Sequence, residues 1–189
     1  MEILNARTER PLEGGRTFTT AFLVKRTLWD LTWLLLASWT PPPMFAWRRF
    51  LLRMFGAKVA STARIYGTTH IWDPTNLDVA AYVQIGPYAT LYTMAPIKLE
   101  KYVIVSQGAH LCAGSHDVES PDFQTIAKPI LLRERAWVAA EAFVGPGVTV
   151  GEGAVLGARS VAFRDLQAWT VYVGNPAAAI KQRRIRFDH

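Results

Sequence analysis

Apolar residues recur every six positions through most of this chain. Val59, Ile65, Ile71, Leu77 and Val83 form one run, and after a two-residue shift of register Val79, Ile85, Leu91, Ile97, Val103 and Ala109 form a second. Leu132, Val138, Val144, Val150, Leu156 and Ala162 form a third, with no slip. A helix repeats its apolar positions every three or four residues and a half-buried strand every two, so a period of six fits neither. It fits an all-β solenoid whose unit is one short strand and one bend, three units closing a triangular coil of roughly 18 residues. The runs predict about five such coils, with the repeated residue of each unit pointing inward. The glycines of Gly145-Pro146-Gly147 and Gly151-Glu152-Gly153 precede another β-type hexad rather than a helix. They therefore read as corner residues and not as a dinucleotide loop.

Before Val59 the texture differs. Residues 1–17 are polar and read as irregular. A helix is predicted from about Phe18 to Ser38, because that stretch has no internal Pro or Gly. Pro41-Pro42-Pro43 breaks it, and a basic-apolar segment, Trp47 to Arg53, follows. The apolar run from Leu28 to Trp39 is shorter than the ~20 residues of a spanning helix and lies too far from the start for a signal peptide. Trp29, Trp33 and Trp39, with cations at both ends, give this helix three possible uses. It can cap the open end of the solenoid, which must hide its last apolar layer, or pack in a trimer, or it can seat at an anionic bilayer. The organisation expected is a helical segment over residues 1–55 and a β-helix over 56–189, with a loop at 115–130 and a tail at 174–189.

Composition adds limits. The 189 residues suit one domain. A net charge of +6 fits an anionic partner, such as a phosphorylated cofactor, a phospholipid surface or nucleic acid, and does not choose among them. Cys112 is the sole cysteine, so an intramolecular disulfide and a zinc-type cysteine cluster are both excluded. It reads as a small packing residue.

The period breaks between Ser115 and Ile130. Solenoids carry insertions as surface loops, often on the binding face. This one opens with His116, a side chain type that exchanges protons near neutral pH. Asp117 is its neighbour and a candidate orienting carboxylate, with Glu119 and Asp122 as alternatives.

Four segments carry a resemblance: Trp47 to Ala57, Val105 to Asp117 (with Gly114-Ser115-His116-Asp117), Ala136 to Ala140, and Val173 to Ala177 (with Gly174-Asn175-Pro176-Ala177). With the hexads between them, the chain resembles the hexapeptide-repeat acyltransferases, and among these the colanic-acid-biosynthesis acetyltransferases. The resemblance implies a left-handed coil, a homotrimer with active sites between neighbouring β-helices, acetyl-CoA as donor and no metal. It implies His116 as general base toward an acceptor hydroxyl and a backbone N–H at Ala139 or Ala140 as oxyanion donor. It places Trp137 beside the thioester or the acceptor, and the pantetheine arm along Gly157 and Ala158. Arg164, Lys181 and Arg183 are candidates for the CoA phosphates, and Asn175-Pro176 for a cofactor-binding turn that leads the tail away from the coil and against the adenine. Trp72, Asp73, Asn76 and Asp78 stand where relatives hold a sugar.

The partner expected is a sugar or lipid-linked glycan, not nucleic acid, and the location cytoplasmic, at or near the inner face of the membrane. Serine, an amino sugar or an antibiotic hydroxyl are alternative acceptors. A second enzyme class on the same scaffold, the gamma-type carbonic anhydrases, would use His70, His110 and His116 as metal ligands.

Overall fold

The six-residue units become two- and three-residue strands joined by tight bends. The computed structural model describes residues 3–185. Three parallel sheets form the sides of a prism. Face 1 stacks Lys58–Val59, Leu77–Val79, Ile97–Leu99, Ile130–Leu132 and Thr149–Val150. Face 2 runs from Arg64–Ile65 through Gln84–Ile85, Ile104–Val105, Trp137–Val138 and Val155–Leu156 to Thr170–Val173. Face 3 stacks His70–Ile71, Thr90–Tyr92, His110–Cys112, Phe143–Val144 and Val161–Ala162. The chain visits the faces in the order 1, 2, 3. A bridge from Val150 to Leu166 starts a sixth turn, one more than the repeat arithmetic predicts.

The coil length also differs from the expected 18 residues. Arg64 lies beside Gln84, and Gln84 beside Ile104, so the early coils hold 20 residues. Trp137 lies beside Val155, so the later ones hold 18. The two extra residues sit at the corner between faces 3 and 1. Each unit buries two residues two apart, such as Val83 and Ile85 or Ala89 and Leu91, and the longer corner passes the six-residue count from one inward row to the other. This recurring corner is the physical origin of the register shift in the sequence.

Corners are not reserved for small residues. Tyr82, Tyr88, Tyr102, Arg135, Glu141 and Arg159 hold positive φ at bend positions, alongside Gly147 and Gly153. Corner-to-corner hydrogen bonds hold several of these bends, as where the N–H groups of Tyr102, Arg135 and Arg159 donate to Ala81, Lys101 and Ala140.

Of the N-terminal segment, the described residues 3–17 are more ordered than the irregular stretch expected. They contain helix α1 (Ala6–Glu9) and a 3-10 turn at Pro11–Glu13. Helices α2 (Thr20–Leu36) and α3 (Phe45–Met54) follow. They close the first coil. Every coil passes backbone N–H groups to carbonyls of the next, so the first coil's own carbonyls have no coil to serve them. Side chains replace it. Arg53 donates to the Val59 carbonyl, Arg49 to Ala63, Arg48 to Ile65, Trp33 to Gly67 and Trp29 to Ile71, at 2.6–2.9 Å. Trp29, Trp33, Leu51 and Leu52 meanwhile cover the last apolar layer. The capping use of the helix is realised, by hydrogen bonding as well as by apolar cover.

At the other end the chain turns at the cis Asn175-Pro176 bond and Ala178–Gln182 pairs antiparallel with Thr170–Val173. The tail therefore folds back along face 2 instead of leaving the coil. Its last four residues, 186–189, lie outside the described ones.

Candidate active site

The insertion at the corner between faces 3 and 1 is a hairpin. Gly114–His116 pairs antiparallel with Thr125–Ala127, with His116 opposite Thr125. Gly114 starts the arm where a side chain would not fit, since a Cβ there would come within 2.7 Å of the Tyr92 ring. His116 Nδ1 lies 3.0 Å from the Phe123 carbonyl oxygen, and the Phe123 ring stacks on the imidazole at 4.8 Å. A carbonyl only accepts, so Nδ1 carries the proton and Nε2 presents its lone pair. The orienting place considered for Asp117 is thus filled by a backbone carbonyl. Asp117 Oδ1 accepts from the Glu119 N–H, and its own N–H donates to Gln124 O, both of which shape the hairpin tip. Asp122 faces Arg7 at 3.9 Å, a surface pair.

His116 lines a cavity of about 210 Å³ with Thr17, Phe18, Tyr92, Met94 and Thr125. The N-terminal wall was not legible in the sequence. It is held by Gln124, whose Oε1 accepts from Ala6 N–H at 2.7 Å and whose Nε2 donates to Leu4 O at 3.1 Å, across more than a hundred residues of chain. We expect Gln124→Ala to release this segment, raising the acceptor KM several-fold with a smaller change in kcat, as read by steady-state kinetics.

The sugar-facing residues expected on early coils are redistributed. Trp72 packs between Phe18, Tyr92 and the Arg26 guanidinium, whose carbon lies 3.1 Å from the ring centroid. Asn76 Nδ2 donates to the Thr93 carbonyl at 2.9 Å and pins the corner. Asp73 is buried, with Oδ1 accepting from Thr75 and facing Lys25 at 3.5 Å. Asp78 stands on face 1 between Lys58 and Lys98, away from the hairpin. Phe18 and Tyr92 line the cavity beside His116.

Trp137 lies on face 2, with Nε1 donating to Ser106 Oγ at 2.9 Å. The Ala139 N–H is committed to Leu156 O at 2.9 Å, so it cannot serve an oxyanion. Among the described residues nothing accepts from the Ala140 N–H, at the bend between faces 2 and 3. Gly157 and Ala158 occupy the same bend one coil on. Arg183 lies toward the opposite bend, where its Nη1 donates to the carbonyls of Arg135 and Gly153. Lys181 is exposed on the tail strand beside face 2. Arg164 and Pro176 line a cavity of about 460 Å³ with Phe163, Tyr172 and Ala177; Asn175 does not.

His70 and His110 lie in one outward row of face 3 with Thr90 between them, so two strand spacings, roughly 9.5 Å, separate them. The His110 imidazole is pushed toward its neutral form, first by burial and then by His70. Among the described residues no three His, Cys, Asp or Glu side chains group for a metal.

No protein-family model matches the chain. The colanic acid biosynthesis acetyltransferase WcaF of Escherichia coli K12 is 40% identical to it over 160 residues, covering 85% of this chain and 88% of that protein. The chain belongs to this acetyltransferase family. Two solved structures share its fold at 19% identity. One is a hexapeptide-repeat acetyltransferase of Vibrio cholerae complexed with acetyl-CoA, at a TM-score of 0.80 over 96% of this chain and all of that one. The other is a maltose O-acetyltransferase of Clostridium difficile 630, at 0.79 over 88% and 90%. The prism is accordingly a left-handed parallel β-helix, against the right-handed preference of ordinary parallel crossovers.

Proposed function

We propose that this acetyltransferase moves the acetyl group of acetyl-CoA to a hydroxyl of a sugar or exopolysaccharide precursor, with His116 as general base. The observation that carries the reading is the imidazole whose Nδ1–H is fixed by the Phe123 carbonyl while the ring lines an aromatic-walled cavity. Nε2 takes the hydroxyl proton as the oxygen attacks the thioester carbonyl. The Ala140 N–H stabilises the resulting oxyanion. Collapse expels the CoA sulfur, and the imidazolium returns its proton to it. No acyl-enzyme is needed, so Cys112 and Ser115 have no covalent part.

In one chain His116 sits at the corner of faces 3 and 1, and Ala140 at the corner of faces 2 and 3. Face 3 separates them. A homotrimer that sets one protomer's hairpin over the next protomer's bend joins the two halves, and His116, exposed in the single chain, becomes covered. Arg164 and Lys181 remain the candidates for the CoA phosphates, with Gly157 and Ala158 giving the pantetheine close access to backbone.

The test is CoA thiol release across a panel of mono- and oligosaccharides, with serine, glucosamine and chloramphenicol as rival acceptors. The expected result is turnover that depends on a sugar hydroxyl, with an O-acetyl ester in the product. Turnover with serine or chloramphenicol and none with any sugar would assign another acceptor class.

A further inference from the structure

Helix α2 is amphipathic in an inverted sense. Its charged residues all lie toward the coils: Arg26 covers Trp72, Lys25 faces Asp73, and Asp30 pairs with Arg26. Its solvent side holds Leu23, Val24, Leu28, Leu31, Leu34 and Leu35, each 39–63% exposed, and Trp39 follows at 71%. The polar groups on or beside this side close onto their own helix. Thr27, Thr32, Ser38 and the Trp39 indole donate to the carbonyls of Leu23, Leu28, Leu34 and Leu35 at 2.7–3.0 Å. Trp47 donates to Leu36 O and stacks on Phe50, which joins this side to an exposed α3 row of Phe50 and Met54.

Capping needs only the inner side of α2, and it leaves this outer surface without a partner in the fold. An apolar surface of this extent marks an interaction site. Two observations say what it meets. Of the seven cations between Arg16 and Lys58, Arg48 is buried, and the other six outnumber the single carboxylate, Asp30, a bias toward an anionic surface. The hydroxyls and the indole bond within the helix, which suits an environment that offers them no partner. At 17 residues α2 is about 25 Å long, and among the described residues no helix is long and apolar enough to cross a membrane. A helix of this kind lies in the interface plane.

We propose that the outer side of α2, with Trp39 and the Phe50–Met54 row, seats the protein on an anionic bilayer surface. The occupant is lipid, and a second copy of the chain is the competing one. Docking stands apart from the acetyl-transfer reading, because its test needs no acceptor.

The full chain is sedimented with vesicles of phosphatidylcholine containing 30% phosphatidylglycerol and with vesicles of phosphatidylcholine alone. Expected is binding to the anionic vesicles, at least tenfold weaker on the neutral ones and at least tenfold weaker for Leu28→Glu/Leu35→Glu, with oligomeric mass and melting temperature unchanged. Quenching of tryptophan emission by brominated lipid, reduced in Trp39→Phe, gives a second reading that does not depend on the glutamate variant folding. Absence of wild-type binding to anionic vesicles, or no quenching, overturns the proposal. So does equal binding by the folded variant, and equal binding to the two vesicle types overturns the anionic preference. A change in oligomeric mass in the variant assigns the surface to a second copy instead.

Discussion

Replacing His116 by alanine is expected to lower acetyl transfer by about a thousandfold, within the ~10²–10⁴ range of general-base catalysis, while folding is retained. The imidazole is exposed on a hairpin and supports no core residue, so its loss leaves the stacked coils intact. The effect belongs in kcat, because the acceptor hydroxyl still binds but keeps its proton. The measurement is thiol release under saturating acetyl-CoA, with thermal unfolding as the control for fold. Asp117→Asn is the informative companion. Its side chain accepts from the Glu119 N–H and does not hold the imidazole, so activity close to wild type is expected. A loss in Asp117→Asn as large as in His116→Ala would mean that the carboxylate orients the base during turnover, and equal rates in wild type and His116→Ala would remove His116 from the mechanism.

The second large effect is on stability. Arg48 is fully buried, and among the described residues no carboxylate is hydrogen-bonded to it. Its guanidinium donates to the carbonyls of Ile65, Thr40, Pro41 and Pro42 and to the Thr40 hydroxyl, at 2.6–3.2 Å. Burial lowers its pKa from the ordinary arginine value, yet five acceptors hold the charged form in place. Arg48→Met keeps much of the volume and leaves several buried carbonyls unserved. We expect a loss of roughly 3–5 kcal/mol, because each buried acceptor left unserved, at Ile65 and Thr40 above all, costs about 1–3 kcal/mol, read as a lowered urea midpoint. Arg48→Lys should restore only part of it, because an ammonium has three donors and cannot reproduce the planar fork. Trp29→Phe removes a single bond to Ile71 O, and about 1–3 kcal/mol is expected there. A milder effect for Arg48→Met than for Trp29→Phe would contradict the view that side-chain donors, Arg48 foremost, replace the missing coil.

The solenoid, its three-sided section and the place of the arm follow from the spacing of apolar residues along the chain. A six-residue inward repeat forces stacked coils, because each apolar residue needs a counterpart above and below, and an insertion can leave such a stack only at a corner. The capping donors were also present as residue types, in Arg48, Arg49, Arg53, Trp29 and Trp33. What they would bind was not visible, since first-coil carbonyls become orphans only once the coils are stacked. The remaining features arise from tertiary contacts between residues that are not neighbours in the chain. The Phe123 carbonyl replaced Asp117 beside His116, because sequence shows side chains and is blind to backbone acceptors. Ladder pairing removed the Ala139 amide and left that of Ala140. Gln124 brought the N-terminal segment to the pocket through a contact with no local signal, and three cations that looked alike in the sequence were sent to different bends and edges of one prism.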